Sequence, residues 1–149
     1  MKPNKRRDYH QLLLLSLLAG VVLGGYLIGS NALYGLGFPL DDAWIHQTYA
    51  RNLNSGGEWA FIPGQLSAGS TAPLWTLLLS LGYRLGIDPK AWSYLLGGLL
   101  LVSTSWVCGL WLIKRIDKPR RWILWMAALI VLEWHLVWAA VSGMEILAL

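Results

Sequence analysis

Charge is what this chain has least of. Only 13% of its 149 residues are Asp, Glu, Lys or Arg, about half the share usual in soluble domains. A single cysteine, Cys108, excludes an internal disulfide and with it a disulfide-stapled scaffold. No Cys/His cluster has metal-ligand spacing, and neither a P-loop nor a Gly-x-Ser-x-Gly element occurs. Phe occurs only twice. In place of these stand 56% hydrophobic residues, ten Trp and a mean hydropathy of +0.48. A chain of 149 residues leaves much of its surface exposed whatever its fold. So apolar a composition therefore rules out a soluble globular domain and a disordered chain, and makes the bilayer part of the solvent.

The net charge is +4, but its placement does not suggest nucleic acid. Lys2, Lys5, Arg6 and Arg7 form one basic cluster; Lys114, Arg115, Lys118, Arg120 and Arg121 form another. Each lies beside a long apolar run, as cytoplasmic flanks of membrane spans do. Two clusters on one side require an even number of crossings between them. Three apolar stretches intervene, and the shortest, Pro73–Tyr83, is only about half the length of a span. It is therefore expected to lie along or re-enter the outer face.

The expected fold is an all-α integral membrane protein, a helical bundle of about three transmembrane helices plus outer juxtamembrane helices. Its parts are a cytoplasmic tail 1–10, span 11–30, outer loop 31–90, span 91–113, inner loop 114–121, span 122–140 and outer residues 141–149. The first span is read as retained, because its apolar stretch exceeds a signal-peptide core and no Ala-x-Ala site follows. Within the outer loop, helices are expected at 41–54 and 73–84. Acids open the first of these and Asn54-Ser-Gly-Gly57 closes it. Phe61-Ile-Pro-Gly64 reads as a turn. Trp92, Trp122 and Trp138 fall near span ends as belt residues, whereas Trp106, Trp125 and Trp134 sit deeper and are expected between helices. Gly24-Gly25 and Gly97-Gly98 are expected to be close-packing positions.

Few residues can carry chemistry. Asp41 and Asp42 precede a helix, where they serve either the helix terminus or, functionally, as general base or metal ligand. Asp42, His46, Tyr49 and Leu53 are spaced to share one helix face. Glu145, in Ser142-Gly-Met-Glu, is the second outer acid. Glu133 and His135 lie within the expected third span, where an acid is costly and marks a functional or interhelical role. Arg51, Arg84 and Lys90 stand outside the basic clusters and could anchor at the interface or bind a lipid phosphate.

The order of these features resembles the amino-terminal part of GT-C membrane glycosyltransferases, which use polyprenyl-phosphate sugars as donors. Asp41-Asp42-Ala-Trp-Ile-His-Gln-Thr-Tyr-Ala-Arg51-Asn-Leu resembles their first-loop motif. Phe61-Ile-Pro-Gly64 and Gly69-Ser-Thr-Ala-Pro-Leu-Trp75 are similar to the segment that follows in arabinofuranosyltransferase-like and RgtA/B/C/D-like members. Ser142-Gly-Met-Glu145 resembles their SGMET element, with Ile146 where Thr is commoner.

The resemblance implies a multi-pass enzyme of the cell membrane, amino terminus cytoplasmic and active site extracytoplasmic. It would move a sugar from a polyprenyl-phosphate donor to an envelope glycan, lipid or protein acceptor with inversion. Asp42 is implied as the general base, with Asp41 second; His46, Tyr49 and Arg51 would bind the donor phosphate or the acceptor. Some members use a divalent cation, Mg or Mn, and others do not; Asp42 and Glu145 are the candidate ligands here. Family members are several times longer, so a chain ending at Leu149 is expected to be the front of a larger enzyme, inactive alone. The other readings are a small non-catalytic three-span subunit or structural protein and, third, part of a transporter.

Overall fold

A computed structural model describes residues 5–116, 119 and 122–148, with the side chains of residues 5–7 left undescribed. The basic tail and the basic inner loop therefore fall partly outside the described residues. Six helices and one small hairpin follow in the order α1 Lys5–Tyr34, α2 Asp41–Gly56, β1 Ala60–Ile62, β2 Gln65–Leu66, α3 Pro73–Arg84, α4 Pro89–Arg115, α5 Ile123–Val131 and α6 Trp134–Val141. The chain is a largely helical membrane protein. Two helices are long and apolar enough to cross a bilayer, Asp8–Tyr34 and Pro89–Arg115, and a third crossing exists if α5 and α6 are counted as one bent span.

That bend is a correction. The apolar run 122–140 suggests one straight helix, but α5 and α6 meet at 66°. The cause is Glu133. Its Oε2 accepts the Leu136 N–H at 2.9 Å and its Oε1 lies 2.6 Å from His135 Nδ1. An acid that takes up a free amide of the next helix is an N-cap, and a cap starts a new helix instead of continuing the old one. Glu133 thus has a local structural role at the start of α6.

The chain divides into two compact units, residues 1–35 with 98–138 and residues 36–97 with 139–149. In the first unit α1 packs on α5. Ile123, Ala127 and Val131 repeat every four residues and are fully buried, while Trp125 and Leu129 on the other side of α5 are exposed. Trp125 and Trp134 are 64% and 62% exposed, so they do not pack between helices of this chain as expected. Gly24 and Gly25 also differ from expectation, since no atom lies near enough to meet a Cβ added at either. Most of α1 is similarly open, with Leu13, Leu14, Leu17, Val21 and Ile28 exposed. Such a helix is stable where lipid covers it.

The second unit is built around α2 and α3. Helix α2 begins after Leu40, which makes no side-chain cap; Asp41 and Asp42 occupy its first turn as partners of the helix dipole. It ends at Gly57, whose φ of +69° is the left-handed conformation of a helix C-cap, its N–H bonding to the Leu53 carbonyl. Pro73 opens α3, where its missing N–H costs nothing. At 12 residues, α3 is about 18 Å long, too short to cross a bilayer. The expected turn Phe61–Gly64 is the tip of an antiparallel hairpin, β1 on β2. The strands escaped sequence reading because they are three and two residues long. Gly97 does pack closely, as expected: a Cβ there would run into the Ala140 carbonyl of α6.

Candidate functional site

The candidate residues of the second unit are held by a buried polar network. Helix α2 presents one face to the loop and helix that follow it, so His46 and Tyr49 are 1% and 0% exposed. His46 Nδ1 lies 3.0 Å from Ser70 Oγ, which in turn lies 2.7 Å from Thr76 Oγ1. On its other side, His46 Nε2 stands 3.3 Å from Glu145 Oε2.

A carboxylate can only accept, so a hydrogen shared between these two groups would be carried by Nε2. Ser70 Oγ thus links the ring to Thr76, whose own Oγ1 lies 3.4 Å from the same Nδ1. The 3.3 Å contact is off the line of a good hydrogen bond, so Nε2 and Oε2 both remain buried without an aligned partner. The Glu145 side chain keeps 17% exposure while Oε2 is sealed, leaving Oε1 as the oxygen able to meet an outside group.

The turn carrying Glu145 is fixed from two directions. Trp75 Nε1 donates to the Gly143 carbonyl at 2.9 Å, in a buried position. Gly143 has φ +79° and the Phe38 ring lies where its Cβ would be, so both conformation and space demand glycine. Ser142, fully buried, donates to the Ala139 carbonyl and accepts the Met144 N–H.

The remaining candidates are placed as follows. Tyr49 hydroxyl bonds Ser67 Oγ at 2.5 Å and the Gly69 N–H at 2.8 Å, tying α2 to the loop before α3. Arg51 is exposed, with only a long 3.5 Å contact from Nε to Asn52 Oδ1. Asp41 and Asp42 are exposed, and Asp41 Oδ1 accepts the Asp42 N–H at 3.1 Å. The structure thus brings Glu145 to His46, buries His46 and Tyr49 away from open space, and leaves Asp42 and Arg51 able to touch a ligand. Among the described residues no three of His, Cys, Asp or Glu gather as a metal site. The side chains present do not supply the oxygen set that Mg or Mn takes.

Sequence reasoning did not find Ser70, Thr76 or Trp75 as partners of the site. Only their position within Gly69-Ser-Thr-Ala-Pro-Leu-Trp75-Thr, a segment already singled out, could have flagged them. Compared with known proteins, the chain matches no protein-family profile, no curated protein and no solved structure.

Proposed function

We propose that this chain forms part of a membrane glycosyltransferase that moves a sugar from a polyprenyl-phosphate donor to an envelope glycan, lipid or protein acceptor. One observation supports the reading above others. The first-loop helix and the Ser142–Glu145 turn, about a hundred residues apart, meet through His46 and Glu145 and through Trp75 and Gly143. These are the segments in which the likeness to GT-C enzymes resides. A purely structural three-span subunit has no need to bury an imidazole against a carboxylate.

In this proposal the site faces the extracytoplasmic side of the cell membrane, the amino terminus being cytoplasmic. Polyprenyl phosphate is already a good leaving group at neutral pH, so the demanding step is deprotonation of the acceptor hydroxyl. Asp42, exposed in the first turn of α2, takes that proton. The acceptor oxygen bonds to the anomeric carbon as the bond to the phosphate oxygen breaks, which inverts the centre. The phosphate leaves with the electron pair, and the Arg51 guanidinium stabilises its charge.

The test is sugar transfer from a polyprenyl-phosphate donor by the complete gene product in membranes. Asp42→Asn is expected to lower the rate about 10²- to 10⁴-fold, the range of a lost general base, with insertion unchanged. Undiminished transfer in that variant removes Asp42 as the base. No transfer from any such donor by the unaltered protein overturns the enzyme reading in favour of the non-catalytic subunit.

A further inference from the structure

The start of α4 carries charges of both signs that do not neutralise one another. A cleft of about 340 Å³ is lined there by Trp44 and Arg51 of α2, Tyr83 of α3, and Asp88 and Lys90 at the entry to α4, among others. Among the described residues the ion pairs are His46 with Glu145 and His135 with Glu133, so neither cation of the cleft is paired with Asp88.

Each charged group keeps bonding capacity. Lys90 uses one donor on the Leu36 carbonyl at 3.3 Å and retains two. Arg51 is exposed, with one long contact of 3.5 Å to Asn52 Oδ1. Asp88 accepts the Ala91 N–H on Oδ1 at 2.9 Å and retains Oδ2. Burial raises the Tyr83 phenol above its ordinary range, the Arg51 charge pulls it back and Asp88 pushes it up. One hydroxyl of the cleft thus feels both signs. Trp44 adds an aromatic surface; Phe38 packs against it with ring centroids 5.0 Å apart, and 48% of Trp44 stays exposed.

The depth of the cleft in the bilayer follows from α4. Its 27 residues make about 40 Å of helix. That exceeds the apolar core of a bilayer by about 10 Å and is close to its thickness with headgroups included. Lys90, in the first turn, therefore stands among lipid headgroups, and Asp88 stands beside it.

Helix α3 supports the same placement. Trp92, near the start of α4, donates to the Leu78 carbonyl at 2.8 Å, and its ring fills the space where a Cβ on Gly82 would be. The two helices are therefore clamped together at this depth. Opposite its buried Trp75, Leu79 and Gly82, α3 and its C-cap expose Leu74, Leu77, Leu81 and Leu85. Their spacing of three to four residues makes one stripe. Such a stripe on a helix too short to cross is covered by acyl chains when the helix lies in the interface.

We propose that the cleft seats the headgroup of a zwitterionic phospholipid with a primary ammonium, of the phosphatidylethanolamine class. The phosphate meets Lys90 and one edge of the Arg51 guanidinium, while the ammonium donates to Asp88 Oδ2 and lies against Trp44. An anionic headgroup without an amine leaves Asp88 facing like charge. A quaternary ammonium has no hydrogen for Asp88 to accept. The seat does not depend on the glycosyltransferase reading, because occupancy is measured without sugar transfer.

The full chain, labelled with fluorotryptophan, is placed in phosphatidylcholine nanodiscs, the Trp44 ¹⁹F resonance being assigned by Trp44→Phe. Phosphatidylethanolamine or phosphatidylglycerol is introduced at rising mole fraction, and free phosphoethanolamine is added to a separate sample. Phosphatidylethanolamine is expected to shift the Trp44 signal saturably. Asp88→Asn keeps the Oδ1 acceptor and removes the charge; it should weaken the response about tenfold, and Lys90→Gln should do the same. An equal response to phosphatidylglycerol overturns the ammonium contact and with it the proposal. An equal response to free phosphoethanolamine overturns the lipid as occupant. No shift, a shift that never saturates, or one untouched by both substitutions overturns the seat. The lipid series on the unaltered chain decides the matter where a variant fails to fold. A silent Trp44 leaves the glycosyltransferase reading standing, and absence of sugar transfer leaves the headgroup seat standing.

Discussion

The two units differ in how many polar side chains they bury and in how far those side chains are bonded to one another. In the first, the buried polar residues among those described are Gln11 and Ser105, and Gln11 Oε1 and Ser105 Oγ have no partner. In the second they are His46, Gln47, Asn52, Ser70, Thr76, Ser93 and Ser142, and every one takes part in a hydrogen bond, although His46 Nε2 and Gln47 Oε1 stay without an aligned partner. The first unit is a set of apolar helices whose outer faces call for lipid. The second spends its interior on specifying positions. Low-dielectric burial makes satisfied polar networks directional and rigid, which is what a site needs and a membrane anchor does not.

Substitutions that probe packing and polarity should separate the units. Gly97→Leu, in the second, forces a side chain into the Ala140 carbonyl and should cost about 3 kcal/mol or more in thermal unfolding of the nanodisc-embedded chain, at or above the overpacking range. Gly24→Leu in the first, where nothing is near, should leave the midpoint almost unmoved. A comparable loss at both would break the distinction.

His46→Ala removes the group facing both Ser70 and Glu145 and should cost about 2 to 3 kcal/mol, since it orphans polar atoms on two sides. Asn52→Ala removes the amide that donates to the Ala60 and Phe61 carbonyls, for a loss of about 1 to 2 kcal/mol by the same measurement. The smallest effect is expected at Ser105→Ala. Its hydroxyl is buried without a partner, so removal should be neutral or slightly stabilising, by about 0.5 kcal/mol at most. A clear destabilisation there would show that the first unit also uses its polar residues.

What could be read in the sequence followed the same division. Helices α2 and α3 were legible to within two residues because their ends are chemically marked, by the acids at Asp41 and Asp42, by Gly57 and by Pro73. The long helices were legible from apolar length, although their ends run several residues beyond the apolar core. The break before α6 was hidden because hydropathy runs on across Leu132, and only Glu133 ahead of Trp134 marked a new cap. The exposure of Trp125 and Trp134 was misjudged because depth along a span says nothing of which way a side chain faces.

In the site, the residue types were legible but their partners were not. His46 and Glu145 could each be singled out, yet their contact joins positions 46 and 145 and depends on Gly143, Phe38 and Trp75 fixing the turn between them. The cleft at Trp44 was invisible for the same reason, since it joins α2 to residues just before and within α4.

The central claim is that the first-loop helix and the Ser142–Glu145 turn act together in glycosyl transfer. Its most direct test is a double-mutant cycle on transfer from a polyprenyl-phosphate donor, with His46→Ala, Glu145→Ala and the pair together in the complete gene product. If the two residues work as a unit, the double variant should lose little more activity than the worse single one. Losses that multiply independently, or single variants with full activity, would contradict the account.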